Sequence, residues 1–260
     1  MPATARAELE SLLRTRKLDR TLTTALPSPP PGDERWLART GIPELDARLG
    51  GGIPRGQLSE FVGPRSSGRL TVLLSALAAA TDRGEVVALV DPLDMFDPES
   101  ASAGGIDLAR LLWIRGEAPG AGRPSLPREH GWLQAAVDRA LKALNLVLQA
   151  GGFGVVALDL AEVAPPVLRR IPFTTWLRVQ RVIEGSETAC VLIGSEPMAR
   201  SPAGLTVALR CTSRQPSSED RARAVLPRAL SVSVIDARVI RARAMETGRD
   251  VCLRVSPAIS

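Results

Sequence analysis

The sequence predicts an α/β protein: a mostly parallel central sheet flanked by helices, with a C-terminal antiparallel hairpin and an N-terminal helical arm. Three observations carry that expectation. First, the short apolar runs "LSEFV" (58–62), "VVALVD" (86–91), "LLWIR" (111–115), "VVALDL" (155–160), "CVLIG" (190–194) and "LTVALR" (205–210) read as strands buried on both faces. Second, helical runs at about 67–82, 130–150 and 173–184 lie between them, and strand–helix alternation is the pattern of a parallel sheet. Third, the alternation stops after Pro227, where "LSVSVIDARVIRARA" and "VCLRV" flank a turn at Glu246–Asp250 and read as a hairpin on the sheet edge. No repeat with a period of 20 to 50 residues is visible.

Ahead of the core, residues 5–20 read as a helix with Ala5, Leu9, Leu12 and Leu13 on one face and Glu10 placed four residues before Arg14. One apolar stripe on a short helix needs a partner surface. The segment "TALPSPPPGD" (24–33) is too proline-rich to continue that helix and acts as an extended spacer. The expected organisation is therefore an arm over 1–23, a linker over 24–35 and a core with its hairpin over 36–260.

A chain of 260 residues with 45% hydrophobic content has ample material for a packed core. Its first twenty residues are charged throughout and do not resemble a signal peptide, and its apolar runs are too short to cross a bilayer, so a cytoplasmic, membrane-free protein is expected. Cys190, Cys211 and Cys252 lie far apart in strand-like runs, which suits buried reduced thiols better than disulfides or a metal site. A single histidine, His130, opens a helix and reads as a surface or capping residue. The net charge of +5 is almost all arginine, lysine occurring only at Lys17 and Lys142; this permits a nucleic-acid partner without requiring one.

The stretch "FVGPRSSGRLTVLLSALAAA" (61–80) follows a strand and opens a helix, as a phosphate-binding loop does. Gly63 and Gly68 have the spacing that lets backbone N–H groups surround phosphates at a helix N-terminus, with Ser66 and Ser67 between them. Two positions depart from the pattern. Arg69 stands where a compact lysine ammonium is needed, and a planar guanidinium is no conservative replacement in a tight cradle. Leu70 stands where a hydroxyl would ligate magnesium, and Thr71 is one residue too late, about 100° around the helix. Asp159 ends a buried strand; it reads either as a second nucleotide signature or as a residue that turns the strand end. Asp94, Asp97 and Glu99 are further acidic candidates, or simply an exposed acidic loop.

Residues 40–116, with the Gly50-Gly51-Gly52 turn, the loop carrying Ser66 and Ser67, and "VDPLDMFDP", closely resemble the opening of the RecA recombinase core. Weaker similarity continues through "VVALDL" and "CVLIGS" to "ARVIRARA". The resemblance places the family's catalytic glutamate at Leu93 and its phosphate-sensing glutamine near Ser195. Its adenine-stacking tyrosine has no counterpart in a chain without tyrosine, and both DNA-binding loops are short here. Such joint loss resembles the ImuA family, related to RecA-like cell-division inhibitors. It implies a non-catalytic accessory factor of SOS-induced mutagenic translesion synthesis, with ImuB and RecA as partners, a mutasome polymerase as an indirect one, and weak DNA contact at most.

On this reading no cofactor is required. Gly63, Ser66, Ser67, Gly68, Arg69 and Asp159 form a vestigial site that leaves room for weak ATP binding. Partner contacts are expected at Leu9, Leu12 and Leu13 and at Arg238, Arg241 and Arg243, the last two on the same face of an extended strand. A solvated strand face explains those arginines equally well. The competing functions are an active RecA-superfamily ATPase in DNA repair and a RecA-like division inhibitor.

Overall fold

The computed structural model describes residues 35–117, 129–199, 204–212, 233–241 and 250–255. By compactness the chain divides into units 1–30 and 31–260, and all described residues lie in the second. The proposed arm with Leu9, Leu12 and Leu13, the linker up to residue 34, and Arg243 lie outside the described residues.

Ten strands and six α-helices build this core among the described residues. The strands are β1 (Leu37–Ala38), β2 (Ile53–Pro54), β3 (Leu58–Val62), β4 (Val87–Asp91), β5 (Leu111–Arg115), β6 (Val155–Asp159), β7 (Ala189–Gly194), β8 (Thr206–Thr212), β9 (Ser233–Arg241) and β10 (Asp250–Val255). The helices are α1 (Pro43–Arg48), α2 (Arg69–Asp82), α3 (Pro98–Ala103), α4 (Glu129–Ala150), α5 (Pro165–Leu168) and α6 (Phe173–Ile183). Apart from a small β1–β2 ribbon, the strands form one eight-stranded sheet in the order β10-β9-β8-β3-β7-β6-β4-β5. The six strands from β8 to β5 are parallel, while β9 and β10 add antiparallel to β8, as the loss of alternation after Pro227 predicts.

Strands β3, β4 and β7 are buried along their whole length, which is why they read as continuous aliphatic runs rather than alternating ones. One face of the sheet packs on α1 and α2 through Leu45, Leu73 and Leu77, and the other on α4 and α6 through Leu144, Trp176 and Ile183. In α2 the buried positions 69, 72, 73, 76, 77 and 80 recur at helical spacing in a leucine- and alanine-rich segment of high helix propensity. The helix stops because Gly84 takes φ 83°, letting its N–H reach Thr81 and the Glu85 N–H reach Ala80.

Two expectations need correction. Strand β5 is not buried on both faces: it is the outermost strand, and Leu112 is 43% exposed. Cys211 is exposed on β8, whereas Cys190 is buried in β7, where desolvation pushes its thiol up to about 12. The side chain of Cys252 is outside the described residues.

Candidate functional site

Because β3 leads to β4 across two intervening positions, the C-terminal ends of β3, β6 and β7 lie side by side at the place where strand order reverses. Open α/β sheets bind ligands there. The loop after β3 folds back tightly at this point. The Gly63 N–H donates to the Gly194 carbonyl at 3.1 Å, and the Ser67 N–H donates to the Pro64 carbonyl at 3.2 Å. Ser66 and Gly68 both adopt left-handed backbone, at φ 58° and 88°. A Cβ at Gly63 would stand 2.4 Å from the Leu209 carbonyl oxygen, and one at Gly68 would stand 2.2 Å from Ile235 Cδ1. These two glycines are therefore demanded by the approach of β8 and β9, whatever the loop binds.

Arg69 is the first residue of α2, and its side chain is only 7% exposed. Its guanidinium turns back to the strand ends. Nη1 donates to the carbonyls of Gly63 and, at 3.1 Å, Gly194; Nη2 donates to the Ala161 carbonyl at 3.1 Å and to Glu162 Oε1 at 3.2 Å. Glu162 also takes Arg65 at 2.6 Å, so one carboxylate pairs with both loop arginines. The charge that a lysine would offer to phosphate is spent inside the protein.

The cavity at this loop encloses about 510 Å³, and its lining includes Leu70, Met95, Phe96 and Ile235 beside Ser67 and Asp159. Leu70 is 45% exposed and brings no oxygen for a cation. Ser67 Oγ is buried without a hydrogen-bond partner among the described residues, and the N–H groups of the first turn of α2 have no intrahelical acceptor. Phosphate oxygens suit those donors, whereas a magnesium–ATP complex does not suit Leu70 and an inward-turned Arg69. Among the described residues no group of three His, Cys, Asp or Glu side chains is placed to hold a metal ion.

Asp159 ends β6, and its Oδ1 accepts the Ala161 N–H at 2.9 Å, the turn-forming role foreseen as one of its two readings. Burial pushes its carboxyl up to about 6, with Asp91 and Glu162 adding to the rise and the Ala161 N–H and Arg69 opposing it. The other acidic candidates also have local duties. Asp94, at φ 55°, holds Arg115 through two bonds of 2.8 and 2.9 Å, and that hydrogen bonding keeps its carboxyl below the ordinary range. Asp97 caps α3 by accepting the Glu99 N–H at 3.1 Å. Glu99 is exposed. Leu93 is 5% exposed and belongs to the same apolar cluster as Val137 and Leu144 of α4. Ser195 Oγ is buried and unpartnered among the described residues.

Ser66 sits exposed in the loop. Arg238 is exposed on β9 opposite Ala208 and Asp250, and Arg241 closes the strand opposite Thr206, its side chain outside the described residues. Sequence reasoning missed Glu162 and Glu60. Glu60 is 1% exposed in the middle of β3, where it accepts the Met198 and Ala199 N–H groups at 2.7 and 2.9 Å and the Thr206 hydroxyl at 3.2 Å. It thereby fixes the segment after β7. The available signal was the carboxylate itself, since an unpaired charge in a strand buried on both faces needs local donors.

Residues 37–125 match the RecA N-terminal domain family. The chain is 47% identical over 73 residues to the RecA protein of a Nostoc species, covering 28% of this chain and 20% of that protein. It is 34% identical over 127 residues to RecA of Salinispora tropica, covering 48% of this chain and 31% of the relative. RecA of Chlorobaculum tepidum is 33% identical over 121 residues, covering 46% and 30%. These matches thus span a third or less of the curated relatives' length. In structure the chain is similar to a crystal structure of the RadB recombinase, with a TM-score of 0.55 and 18% identity over 85% of this chain and 97% of that one. Among the described residues no helix is long and apolar enough to cross a membrane. The core is RecA-like in fold, and its first half is similar in sequence to RecA itself.

Proposed function

We propose that this chain is a non-catalytic RecA-like accessory protein of the ImuA type. On this reading it serves SOS-induced mutagenic translesion synthesis through contacts with ImuB and with RecA, and so disfavours recombination. The observation that carries it is the position of Arg69. A guanidinium held by three carbonyls and Glu162 at the strand ends is withdrawn from the place where a nucleotide's terminal phosphates would need a cation. Burial of Leu93 supports the same reading, because the position that the RecA resemblance assigns to a water-orienting glutamate is built into the core beneath α4. A protein without a turnover cycle acts through surfaces, and a RecA-like core with a defective site suits the capping or interruption of a RecA filament.

An active ATPase is the second reading, and one observation favours it: Ser67 Oγ lines the cavity at the loop, buried and without a partner among the described residues, where a phosphate oxygen would satisfy it. Titration of the full chain with a fluorescent ATP analogue and Mg²⁺, beside a phosphate-release assay, separates the two. The proposal expects no turnover and weak or absent binding. It further expects an Arg69→Lys/Leu70→Thr variant to tighten binding at least about tenfold, equivalent to roughly 1.4 kcal/mol. Magnesium-dependent turnover by the unaltered chain overturns it. Pull-down with purified ImuB and RecA tests the partner assignment separately.

A further inference from the structure

We propose that the outer face of α6, together with the cavity at the α5–α6 corner, is a docking surface for a short acidic segment of a protein partner that carries an apolar anchor. The surface does not depend on whether the phosphate loop takes a nucleotide.

Helix α6 buries Trp176, Val179 and Ile183 against the sheet. At about 100° per residue, Phe173, Leu177 and Arg181 follow one another along the opposite face with Thr174 and Arg178 beside them, all within an arc of roughly 140°. All five are exposed, Phe173 by 47% and Leu177 by 39%. Two large apolar side chains four residues apart are neighbours on this face, and each leaves more than a third of its surface open. Phe173 also lines the adjoining cavity of about 630 Å³, whose wall is about half polar, through Arg169, Arg170 and Glu196, and half apolar, through Leu168, Ile171, Pro197 and Met198. The apolar strip on the helix is therefore continuous with a recess large enough for a side chain.

Charge complementarity selects the occupant. The guanidinium groups of Arg170, Arg178 and Arg181 make no ion pair or hydrogen bond among the described residues. On the cavity rim, Arg169 already holds a carboxylate, that of Glu196, at 3.2 Å. Guanidinium groups are weakly hydrated and present a fork that fits carboxylates, so they suit an interface that excludes water. A nucleic-acid strand fits less well. Glu184 and Glu187 are exposed beyond the C-terminal end of α6 and Glu196 stands at the cavity, so a continuous phosphate backbone would run against carboxylates at both ends. Phe173 is the single aromatic among the five exposed side chains, whereas a single strand stacks its bases on several in succession. A short segment, with an apolar side chain in the cavity and its carboxylates toward Arg170, Arg178 and Arg181, satisfies both the charges and the apolar strip.

The test uses the full chain and three fluorescent probes: a synthetic glutamate-rich helical peptide with leucine anchors one turn apart, the same peptide with lysine for glutamate, and an oligothymidylate. The expected result is that the acidic peptide binds and the lysine peptide does not. Arg178→Glu/Arg181→Glu and Phe173→Ser/Leu177→Ser should each weaken binding at least about tenfold. Arg178 and Arg181 are exposed and unpaired at their side chains, so the melting temperature of that variant should hold, which separates loss of docking from loss of fold; Phe173→Ser/Leu177→Ser is read at a temperature below its own melting transition. Three results overturn the proposal: equal binding of the acidic and lysine peptides, acidic-peptide binding unaffected by both double variants, or oligothymidylate binding more tightly than the acidic peptide and lost in Arg178→Glu/Arg181→Glu.

Discussion

Two buried arginines, one at each end of the parallel sheet, do the same work in places of opposite expectation. Arg55 precedes β3 and donates to the carbonyls of Gly154 at 3.2 Å and Glu187 at 2.8 Å and to Glu85 at 2.7 Å, so it joins the N-terminal approaches to β3, β4, β6 and β7. Arg69 follows β3 and joins the C-terminal ends of β3, β6 and β7 through carbonyls and Glu162. At the first end no ligand is expected, and an arginine seam is ordinary fold stabilisation. At the second end the fold places a ligand crevice. This chain therefore closes the crevice end of its sheet with a seam of the same kind, the Arg69 guanidinium taking up three carbonyls and a carboxylate.

The largest expected effect tests whether the two seams are equivalent. Arg69→Ala and Arg55→Ala each take the donor from two or three carbonyls and one of two arginines from a carboxylate, which keeps Arg65 at Glu162 and Arg83 at Glu85, so each should destabilise the fold by about 3 kcal/mol. For a core of this size that lowers the melting temperature by roughly 6 to 12 °C, readable by calorimetry. If Arg69→Ala melts like the unaltered chain while Arg55→Ala does not, the comparison breaks and the guanidinium at 69 is free to serve a ligand.

A smaller effect comes from Asp159, which stands beside only one of the seams. Its folded carboxyl titrates near 6, above the ordinary value of 3.8, so between these two values the native state holds more protons than the unfolded chain. Stability should therefore fall as pH rises from about 4 to 6, and the full cost should remain above that window. Asp159→Asn should flatten this fall and raise stability at neutral pH by about 2 kcal/mol, measured as denaturant midpoints across pH. Glu85 at the other seam has the opposite sign. Burial raises its pKa, yet hydrogen bonds and charge from Arg83 and Arg55 bring it below the ordinary value. Its contribution should persist at neutral pH and disappear as acid takes the pH down through its folded value. A common pH response at both ends would mean that the crevice imposes no electrostatic cost of its own.

The smallest effect isolates the outer arginine of the loop. Arg65 pairs with Glu162 at 2.6 Å but its side chain is 80% exposed, so Arg65→Ala should change stability by less than about 0.5 kcal/mol. A larger loss in the same melting assay would show that Glu162 depends on both arginines and that the seam extends to the surface.

The sequence by itself determined the α/β class, the chain order of the eight strands of the main sheet and of the helices α2, α4 and α6, the hairpin after Pro227, and the absence of the lysine and the hydroxyl at positions 69 and 70. Each depends on neighbours along the chain: aliphatic runs bounded by turns, helical spacing in α2, and the interval from Gly63 to Gly68. What the tertiary structure alone decided is where the Arg69 guanidinium goes. Its acceptors lie as far as 125 residues away and are mostly backbone carbonyls, which any residue supplies and no sequence pattern marks. The same holds for Leu93, whose neighbours come from a distant helix, and for Cys211 and β5, whose exposure follows from position within the sheet. The choice between phosphate ligand and structural seam rests on three-dimensional donor–acceptor geometry. Local sequence fixed the charge at position 69 but not its direction.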